Sequence, residues 1–363
     1  MATGVKVAVL ANLKKNAPHF PGEAEDVWSD LDSEETIEAL LNAIRMGGHE
    51  AVFYESDITL IDKLRADRPD ICFNMSEGHW GDSREAQVPA LLEMLRIPYT
   101  GSKVMALSLS LDKSMAKRIL SWHDLPTPAW QTIERVDEPL DDDLVFPLFV
   151  KPSREGTGMG VTAHSICHTE EEMRQQVHII HHKYKQPALV ERFIEGREVT
   201  VGMVGNLVGP VARRIPNDED DPRVTFGLHF LPPLEVDLAP FEKEEGGIYS
   251  SRLKSQIPEQ LSYLCPAPLN EEQLAQLNWL AAAVFRVTDC LDVARVDFRL
   301  NKHEDDQPYI LEINPLPGMN PEISDLCIEA QAVGISHPQL VNMVLDAALK
   351  RYGVLSLRSY HVP

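Results

Sequence analysis

Val293-Ala-Arg295-Val-Asp297-Phe-Arg299-Leu300, followed by Tyr309-Ile-Leu-Glu312-Ile-Asn314-Pro-Leu-Pro-Gly318, is the stretch whose reading decides the fold. Both halves carry the two-residue period of a β-strand. In the first, Val296, Phe298 and Leu300 alternate with Arg295, Asp297 and Arg299; in the second, Glu312 and Asn314 share one face while Ile313 turns away. The intervening Asn301-Lys-His-Glu-Asp-Asp-Gln-Pro308 is polar and turn-forming, so the pair reads as a hairpin that sets Asp297 opposite Glu312 and Asn314. Charges inside an apolar segment are costly to bury unless they are paired or bind a metal. Two readings stand at this point. One is a salt-bridged strand pair neutralised by Arg299 or Arg295. The other is a metal site, because Asp, Glu and Asn are oxygen donors suited to Mg²⁺ held together with substrate phosphates.

The rest of the chain bounds what such a hairpin can serve. With 363 residues, 44% of them hydrophobic, there is material for two or three domains. A net charge of −22 argues against nonspecific binding to nucleic acid or to an anionic membrane, although a local Lys/Arg cluster can still receive an anionic substrate. Cys72, Cys167, Cys265, Cys290 and Cys327 are odd in number and scattered without a C-x-x-C, the usage of reduced thiols in a cytoplasmic protein. The first residues, Met1 to Leu10, lack a basic leader followed by a long apolar core and read as a first strand. No apolar run approaches the ~18 residues needed to span a bilayer. The oligomeric state is left open, a homodimer included.

In chain order, Val5–Leu10, Ala51–Tyr54 and Asp70–Asn74 read as strands. Helices are expected from Asp32-Ser-Glu-Glu35 to Gly47-Gly48, from Ile58 to Ala66 and from Arg84 to Leu95. Ile37, Leu40, Leu41 and Ile44 form the apolar face of the first. This alternation implies a parallel sheet covered by helices, with ligand loops beyond the strand carboxyl ends at 11–31 and 75–83. A second unit starts near Met105 with a helix over Asp112–Trp122. It continues with a strand ending at Lys151, a glycine segment, a strand over Val161–His164 and a helix over Thr169–Lys183. Strands over Ala188–Ile194 and Arg197–Val204 then flank a Glu195-Gly196 turn. Residues 216–268 hold eight prolines and many acids with little periodicity, which suggests a lid or insertion. Helices over Glu271–Arg286 and His337–Tyr352 flank the opening hairpin. The expected division is 1–104, 105–205 and 206–363.

Three further constellations could carry chemistry. The glycines of Ser153-Arg-Glu-Gly156-Thr157-Gly158-Met-Gly160 form neither a Walker loop nor a dinucleotide fingerprint; they make either a tight hairpin or a flap whose N–H groups close over phosphates. Glu191 and Glu198, seven apart across a turn, are by spacing ordinary hairpin carboxylates. His178, His181 and His182 at helical spacing read as a solvated face, since no Cys or acid completes a metal set.

Taken together, these segments resemble the ATP-grasp ligases, and in particular the D-alanine–D-alanine ligase family. Arg295-Val-Asp297-Phe and Glu312-Ile-Asn314-Pro-Leu-Pro-Gly318 match its R-[IV]-D-F…E-[IV]-N-x-L-P-G. Lys151-Pro-Ser-Arg-Glu-Gly-Thr-Gly-Met-Gly160 matches its K-P-x-x-x-G-S-S-x-G flap, and Glu191-Arg-Phe-Ile-Glu-Gly-Arg-Glu198-Val-Thr-Val201 its E-x-[FWY]-[IL]-x-G-x-E-x-T-V. The resemblance implies an α/β (α+β) ATP-grasp fold of three domains: N-terminal α/β, central flap-bearing and C-terminal metal-binding. ATP is then the nucleotide. Lys113, Lys151 and the flap residues Gly156, Thr157, Gly158 and Gly160 hold its phosphates, the backbone at Phe193 and Ile194 its adenine, Glu191 the adenine amino group and Glu198 the ribose. Two Mg²⁺ ions, with Mn²⁺ as a substitute, fall on Asp297, Glu312 and Asn314. Arg295 steadies the transition state, and Lys254 aligns with a lysine of the family's lid. The activity implied is ADP-forming ligation of two small amino acids through an acyl phosphate, with D-alanine twice, as in peptidoglycan synthesis, the leading assignment. A ligase of other amino acids and a non-catalytic nucleotide-binding protein are the alternatives.

Four departures lie in the amino-acid subsites. The first loop, Ala11–Asn16, lacks the family's ammonium-binding Glu; its His-Gly-x-x-Gly-Glu-Asp-Gly becomes Glu77-Gly-His-Trp-Gly-Asp-Ser-Arg84; Lys254-Ser255 replaces a Lys-Tyr; and the Ser after Pro-Gly-Met falls at Ile323, with Ser324 one place late. Glu23, Glu25, Asp26, Glu77, Arg84 and Ser324, beside Gly318, are the candidate replacements. They predict a poor or altered D-alanine ligase.

Overall fold

The structure is a computed structural model that describes residues 4–207, 227–255, 257 and 260–354. The N-terminal alternation builds a parallel sheet in the order β2-β1-β3, from β1 (Lys6–Ala11), β2 (Glu50–Glu55) and β3 (Ile71–Met75). Crossovers α1 (Glu34–Met46) and α2 (Leu60–Ala66) cover it. The cap of α1 is Ser33, whose Oγ accepts the Thr36 N–H at 3.2 Å, and Ile37, Leu40, Leu41 and Ile44 are its buried face as expected. Arg84–Leu95 is not one helix. A 3-10 turn over Arg84–Ala86 precedes α3 (Gln87–Leu95), which places Pro89 in a first turn, where a missing N–H breaks no helical bond.

The sequence reading has no counterpart for α4 (Val104–Leu111). Its Leu107-Ser-Leu-Ser-Leu111 alternates with a strand's period, yet packing buries Ala106, Leu107 and Leu111 on a helix. α5 (Lys113–Trp122) follows, capped by Asp112, which accepts the Met115 N–H at 3.1 Å. A four-stranded antiparallel sheet comes next, in the order β4-β7-β5-β6. It comprises β4 (Trp130–Ile133), β5 (Leu148–Pro152), β6 (Ile166–Cys167) and β7 (Ala188–Arg192), backed by Met173, Val177 and Ile180 of α6 (Glu170–Lys183). The strand expected over Val161–His164 does not form. Thr162 and Ser165 cap each other around a 3-10 turn, and the chain joins the sheet only at Ile166.

The remaining strands make a six-stranded sheet, β11-β10-β8-β12-β13 with β9 also on β8. They are β8 (Gly196–Gly205), β9 (Leu228–Phe230), β10 (Leu234–Asp237), β11 (Ser262–Leu264), β12 (Asp292–Asn301) and β13 (Gln307–Asn314). Short α7 (Glu242–Glu245) and α8 (Ser251–Ser255) lie between β10 and β11, and α9 (Glu271–Val287) packs Leu277, Leu280, Ala281 and Val284 against Val199, Val201, Val296 and Phe298. Two expectations are corrected. β7 and β8 are not a hairpin: Glu195-Gly196 carries the chain from one sheet to the other. Gly196 is required there by close approach, since a Cβ would lie 1.7 Å from the Leu300 carbonyl oxygen. Within 216–268, the described part contributes three strands of three or four residues, too short to show a period; residues 216–226, 256, 258 and 259 lie outside the described residues.

α10 (Asp325–Ala332) and α11 (His337–Tyr352) end the described chain. α11 returns to the N-terminal unit, where Leu340, Val341, Val344 and Leu345 share a core with Ile37, Leu40 and Ile44, and Asn342 Nδ2 donates to the Ala43 carbonyl at 2.8 Å. Among the described residues, no helix is long and apolar enough to cross a membrane.

Candidate active site

The opening hairpin forms with Asp297 opposite Glu312 and Arg295 opposite Asn314, and with a bulge after Asp297. Val296, Phe298 and Leu300 point into the core. On the other face the polar row runs on into β8, where Thr200 is opposite Asp297 and Glu198 opposite Arg299. The salt-bridge reading holds for Asp297. Arg295 donates to it bidentately at 2.8 and 2.9 Å, Thr200 Oγ1 at 2.5 Å and Asn314 Nδ2 at 2.9 Å. Arg295 also pairs with Asp325 at 3.1 Å. Glu312 faces Lys113 at 3.0 Å. Burial opposes the charge of Glu312, but Lys113, Lys151 and Lys254 outweigh burial and hold its carboxyl well below the usual range. Among the described residues, no three His, Cys, Asp or Glu side chains converge as a metal site. The hairpin instead offers two carboxylates and an amide in register, a hard-oxygen set compatible with Mg²⁺, whose charge Arg295 and Lys113 balance.

Beside this face a cleft opens between the four-stranded and six-stranded sheets. The first sheet contributes Phe149, Lys151 and the run Glu191–Ile194; the second contributes Glu198, Asp297, Arg299, Leu311 and Glu312. Glu191 is buried between two lysines, Lys151 at 2.7 Å and Lys117 at 2.8 Å. Burial raises and the two lysines lower its pKa, and the lysines win. Lys117, fully enclosed, is pushed down to about 8 by burial, whereas Glu191 and Glu312 overcome burial and hold Lys151 above its ordinary value. Glu191 is thus the anchor that aims Lys151, a role that spacing alone does not reveal. Glu198 pairs with Arg299 at 2.6 Å, and Arg299 also donates to the Ile194 carbonyl at 3.2 Å and the Gly247 carbonyl at 2.6 Å. Arg299 therefore ties the β7–β8 crossover to the segment before α8. Its only sequence signal is its place in the Arg295, Asp297, Arg299 alternation.

The glycine segment is a flap of tight turns, with Thr157, Gly158 and Gly160 at φ of 51°, 69° and 74°. Gly158 lines the cleft, and a Cβ there would touch Lys254 Cδ at 3.5 Å. Gly156 and Thr157 face a second cavity. Gly160 lines neither: its N–H donates to Asp26 Oδ2 at 2.9 Å. Asp26 also accepts from Tyr184 Oη at 2.7 Å and Ser251 Oγ at 3.0 Å, so one carboxylate of the first loop holds the flap, α6 and α8 together. Lys254 Nζ stands 4.2 Å from the centre of the Tyr249 ring, and Tyr249 Oη meets Tyr263 Oη at 2.9 Å.

The second, larger cavity joins the cleft at Lys113, Glu155, Tyr249, Lys254 and Glu312, which line both. Loops beyond β1 and β3 form its far wall with Asp30, Asp32, Glu77 and Glu85; Arg295, Asn314, Gly318 and Ser324 form the near wall. Ser324 Oγ accepts the Asn320 N–H at 2.9 Å and is so close to Gly318 that a Cβ there would come within 2.8 Å of it. Several candidate replacements fall elsewhere. Arg84 is buried and committed to the Arg154 carbonyl, Asp30 and Glu155 at 2.9, 3.1 and 3.0 Å, and it does not line the cavity. Asp26 latches the flap, Glu23 faces His19 at 3.2 Å and Glu25 is exposed. Asp30, Asp32 and Glu85 line the cavity there beside Glu77. Of the histidines on α6, His181 meets the Ile133 carbonyl at 3.0 Å, and His178 stacks on His182.

Two antiparallel sheets gripping a lysine-lined cleft, with a glycine flap over one side and an acidic hairpin at its floor, define the ATP-grasp class. The family model described as the D-ala D-ala ligase C-terminus matches residues 119–219 and 237–346. The chain is 32% identical over 323 residues to the uncharacterised protein y4sG of Sinorhizobium fredii, covering 87% of this chain and 88% of that one. It is 33% identical over 316 residues to the D-alanine–D-alanine ligase of Syntrophotalea carbinolica, covering 87% and 91%. For that of Pelotomaculum thermopropionicum, the identity is 30% over 329 residues, covering 88% and 92%. The crystal structure of the Bacillus anthracis D-alanine–D-alanine ligase complexed with ATP superposes with a TM-score of 0.68 at 21% identity, covering 97% of this chain and 99% of that one. The chain belongs to the D-alanine–D-alanine ligase family.

Proposed function

We propose that this protein is an ATP-dependent, ADP-forming ligase that joins two amino acids through an acyl phosphate. The observation that carries this reading is the junction of the two cavities. A lysine-lined cleft and a larger chamber meet where Lys113, Lys254 and Glu312 line both, which is where a γ-phosphate would face a bound carboxylate. The adenine would lie against the main chain of Arg192–Ile194, the ribose at Glu198 and the phosphates at Lys113 and Lys151. Glu191 can still accept from the adenine amino group through a remaining lone pair while it anchors its lysines. Mg²⁺ bound by Asp297, Glu312 and Asn314 would supply charge neutralisation at the phosphates.

The first amino acid's carboxylate oxygen attacks the γ-phosphorus as the bond to ADP breaks. The second amino acid, held near Gly318 and Ser324, then attacks the acyl carbon with its amine, expelling phosphate and losing a proton. Arg295, fixed by Asp297 and Asp325, is placed to stabilise the negative charge that develops. The test is phosphate release from ATP and Mg²⁺ across D- and L-amino acids, with D-alanine, the substrate named for the relatives, as the reference. Absence of release with every amino acid would leave a nucleotide-binding protein in place of the ligase. Lys151→Ala should weaken ATP binding about tenfold or more, because a phosphate loses a cation in a shielded site. Calorimetry showing unchanged affinity would remove Lys151 from the nucleotide site.

A further inference from the structure

The far wall of the larger cavity carries more negative charge than one ammonium can neutralise. Asp32, from the loop before α1, Glu77, from the loop after β3, and Glu85, from the 3-10 turn, line it beside Asp30. Asp30 already faces Arg84 at 3.1 Å. Glu85 is only 8% exposed and opens on the cavity; among the described residues no hydrogen bond or ion-pair contact reaches its carboxyl, and the attraction of Arg84 and Lys113 is outweighed by burial and Asp30. Asp32 and Glu77 share that lack of a partner. The cations of the same cavity are engaged elsewhere: Lys113 on Glu312, Arg295 on Asp297 and Asp325, and Lys254 over Tyr249, while Lys14 is exposed at the rim. A buried carboxylate left without a partner is costly, so this wall is built for cationic groups that arrive with a ligand.

We propose that the first-substrate subsite takes a diamino monocarboxylic acid, of the lysine, ornithine or 2,3-diaminopropionate class, with its two ammonium groups against Asp32, Glu77 and Glu85 and its carboxylate toward Lys113. The inference rests on the ligase reading above and names its substrate class. Because Asp30 is on Arg84, the carboxyls left to face the two ammonium groups are Asp32, Glu77 and Glu85, and burial raises all three above the ordinary carboxylate range. A monoamino acid would bring only one cation to the three. A site built around buried polar groups discriminates strongly against the analogue that fails to pair them.

The experiment is phosphate release by the full chain with ATP and Mg²⁺, comparing alanine, norleucine, lysine, ornithine and 2,3-diaminopropionate in both chiral forms. One of the diamino acids should exceed alanine and norleucine of the same handedness at least tenfold in kcat/KM. Glu85→Gln should raise the KM for that diamino acid about tenfold while ATP affinity, measured by calorimetry, is unchanged. Glu77→Gln, at a less buried position, serves if the first variant does not fold. Alanine or norleucine matching the diamino acids would overturn this inference and leave the ligase reading standing. An unchanged KM in both variants would overturn the placement, and no release with any amino acid would overturn both readings.

Discussion

At the residue scale, the site is a set of buried charges whose partners determine what each can do. Asp297 and Glu312 are the clearest case. Removing either carboxylate charge by Asp297→Asn or Glu312→Gln removes negative charge from the floor of the cleft while leaving side-chain shape intact. Turnover should fall by well over tenfold, more than about 1.4 kcal/mol of transition-state stabilisation. A smaller loss in a steady-state phosphate assay would make the pair a structural ion bridge. The far wall predicts a pH effect of definite sign. Burial, then repulsion from Asp30, raises Asp32 to about 7, and burial and Asp30 outweigh Arg84 and Lys113 in raising Glu85 to about 7. Groups whose folded pKa is raised add stability below their unfolded values near 4, and that stability is lost as pH climbs to 7. In the ligand-free protein, Asp32→Asn or Glu85→Gln should therefore raise Tm at pH 8 relative to the parent more than at pH 5. Thermal scans at the two pH values that show equal shifts would place these carboxyls in water.

At the scale of elements, Asp26 is the contact that the chain order hides. Its carboxylate receives the Gly160 N–H of the flap, Tyr184 at the C-terminal cap of α6 and Ser251 of α8, joining four segments. Hydrogen bonds to a charged acceptor contribute about 1.5–3 kcal/mol each. Asp26→Ala should free the flap, speeding amide exchange over residues 156–161 and weakening ATP binding about tenfold. Unaltered exchange there would show that turn geometry alone holds the flap. Legibility also differs by element. The hairpin of β12 and β13 was readable because its period and its turn are local. The β7–β8 crossover was not: two strands around a Glu-Gly look like a hairpin, and only pairing to different sheets shows otherwise.

For the whole molecule, the joint between the N-terminal unit and the six-stranded sheet is polar as well as apolar. Asp292 is fully buried at the start of β12 and accepts from Gly101 N at 2.9 Å, Asn206 Nδ2 at 2.8 Å and Arg351 of α11 at 2.6 and 3.1 Å. Removing one partner of a buried pair costs about 3–5 kcal/mol, because the other charge is left unpaired. Asp292→Ala should lower stability by that amount, read as a shift of the denaturant midpoint. A change under about 1 kcal/mol would mean that water replaces the lost carboxylate.

The sequence by itself determined the ATP-grasp class and the candidate residues of the cleft between the two antiparallel sheets. Those residues sit on regular strands and a glycine flap, where period and spacing are local properties that survive into the fold. Arg295, Asp297 and Glu312 stand out in the hairpin's alternation for that reason, whereas Lys151 and Glu198 stand out only by resemblance to the family's motifs. Tertiary structure alone decided the lining of the second cavity. Asp30, Asp32 and Glu85 lie in loops and a 3-10 turn with no period to read, and they converge only because parallel strands bring their carboxyl ends to one edge. The same convergence took Arg84 and Asp26 away from the substrate and gave them to the flap. Which carboxylates face a ligand depends on which are already paired, and pairing across seventy residues or more is a property of the folded chain.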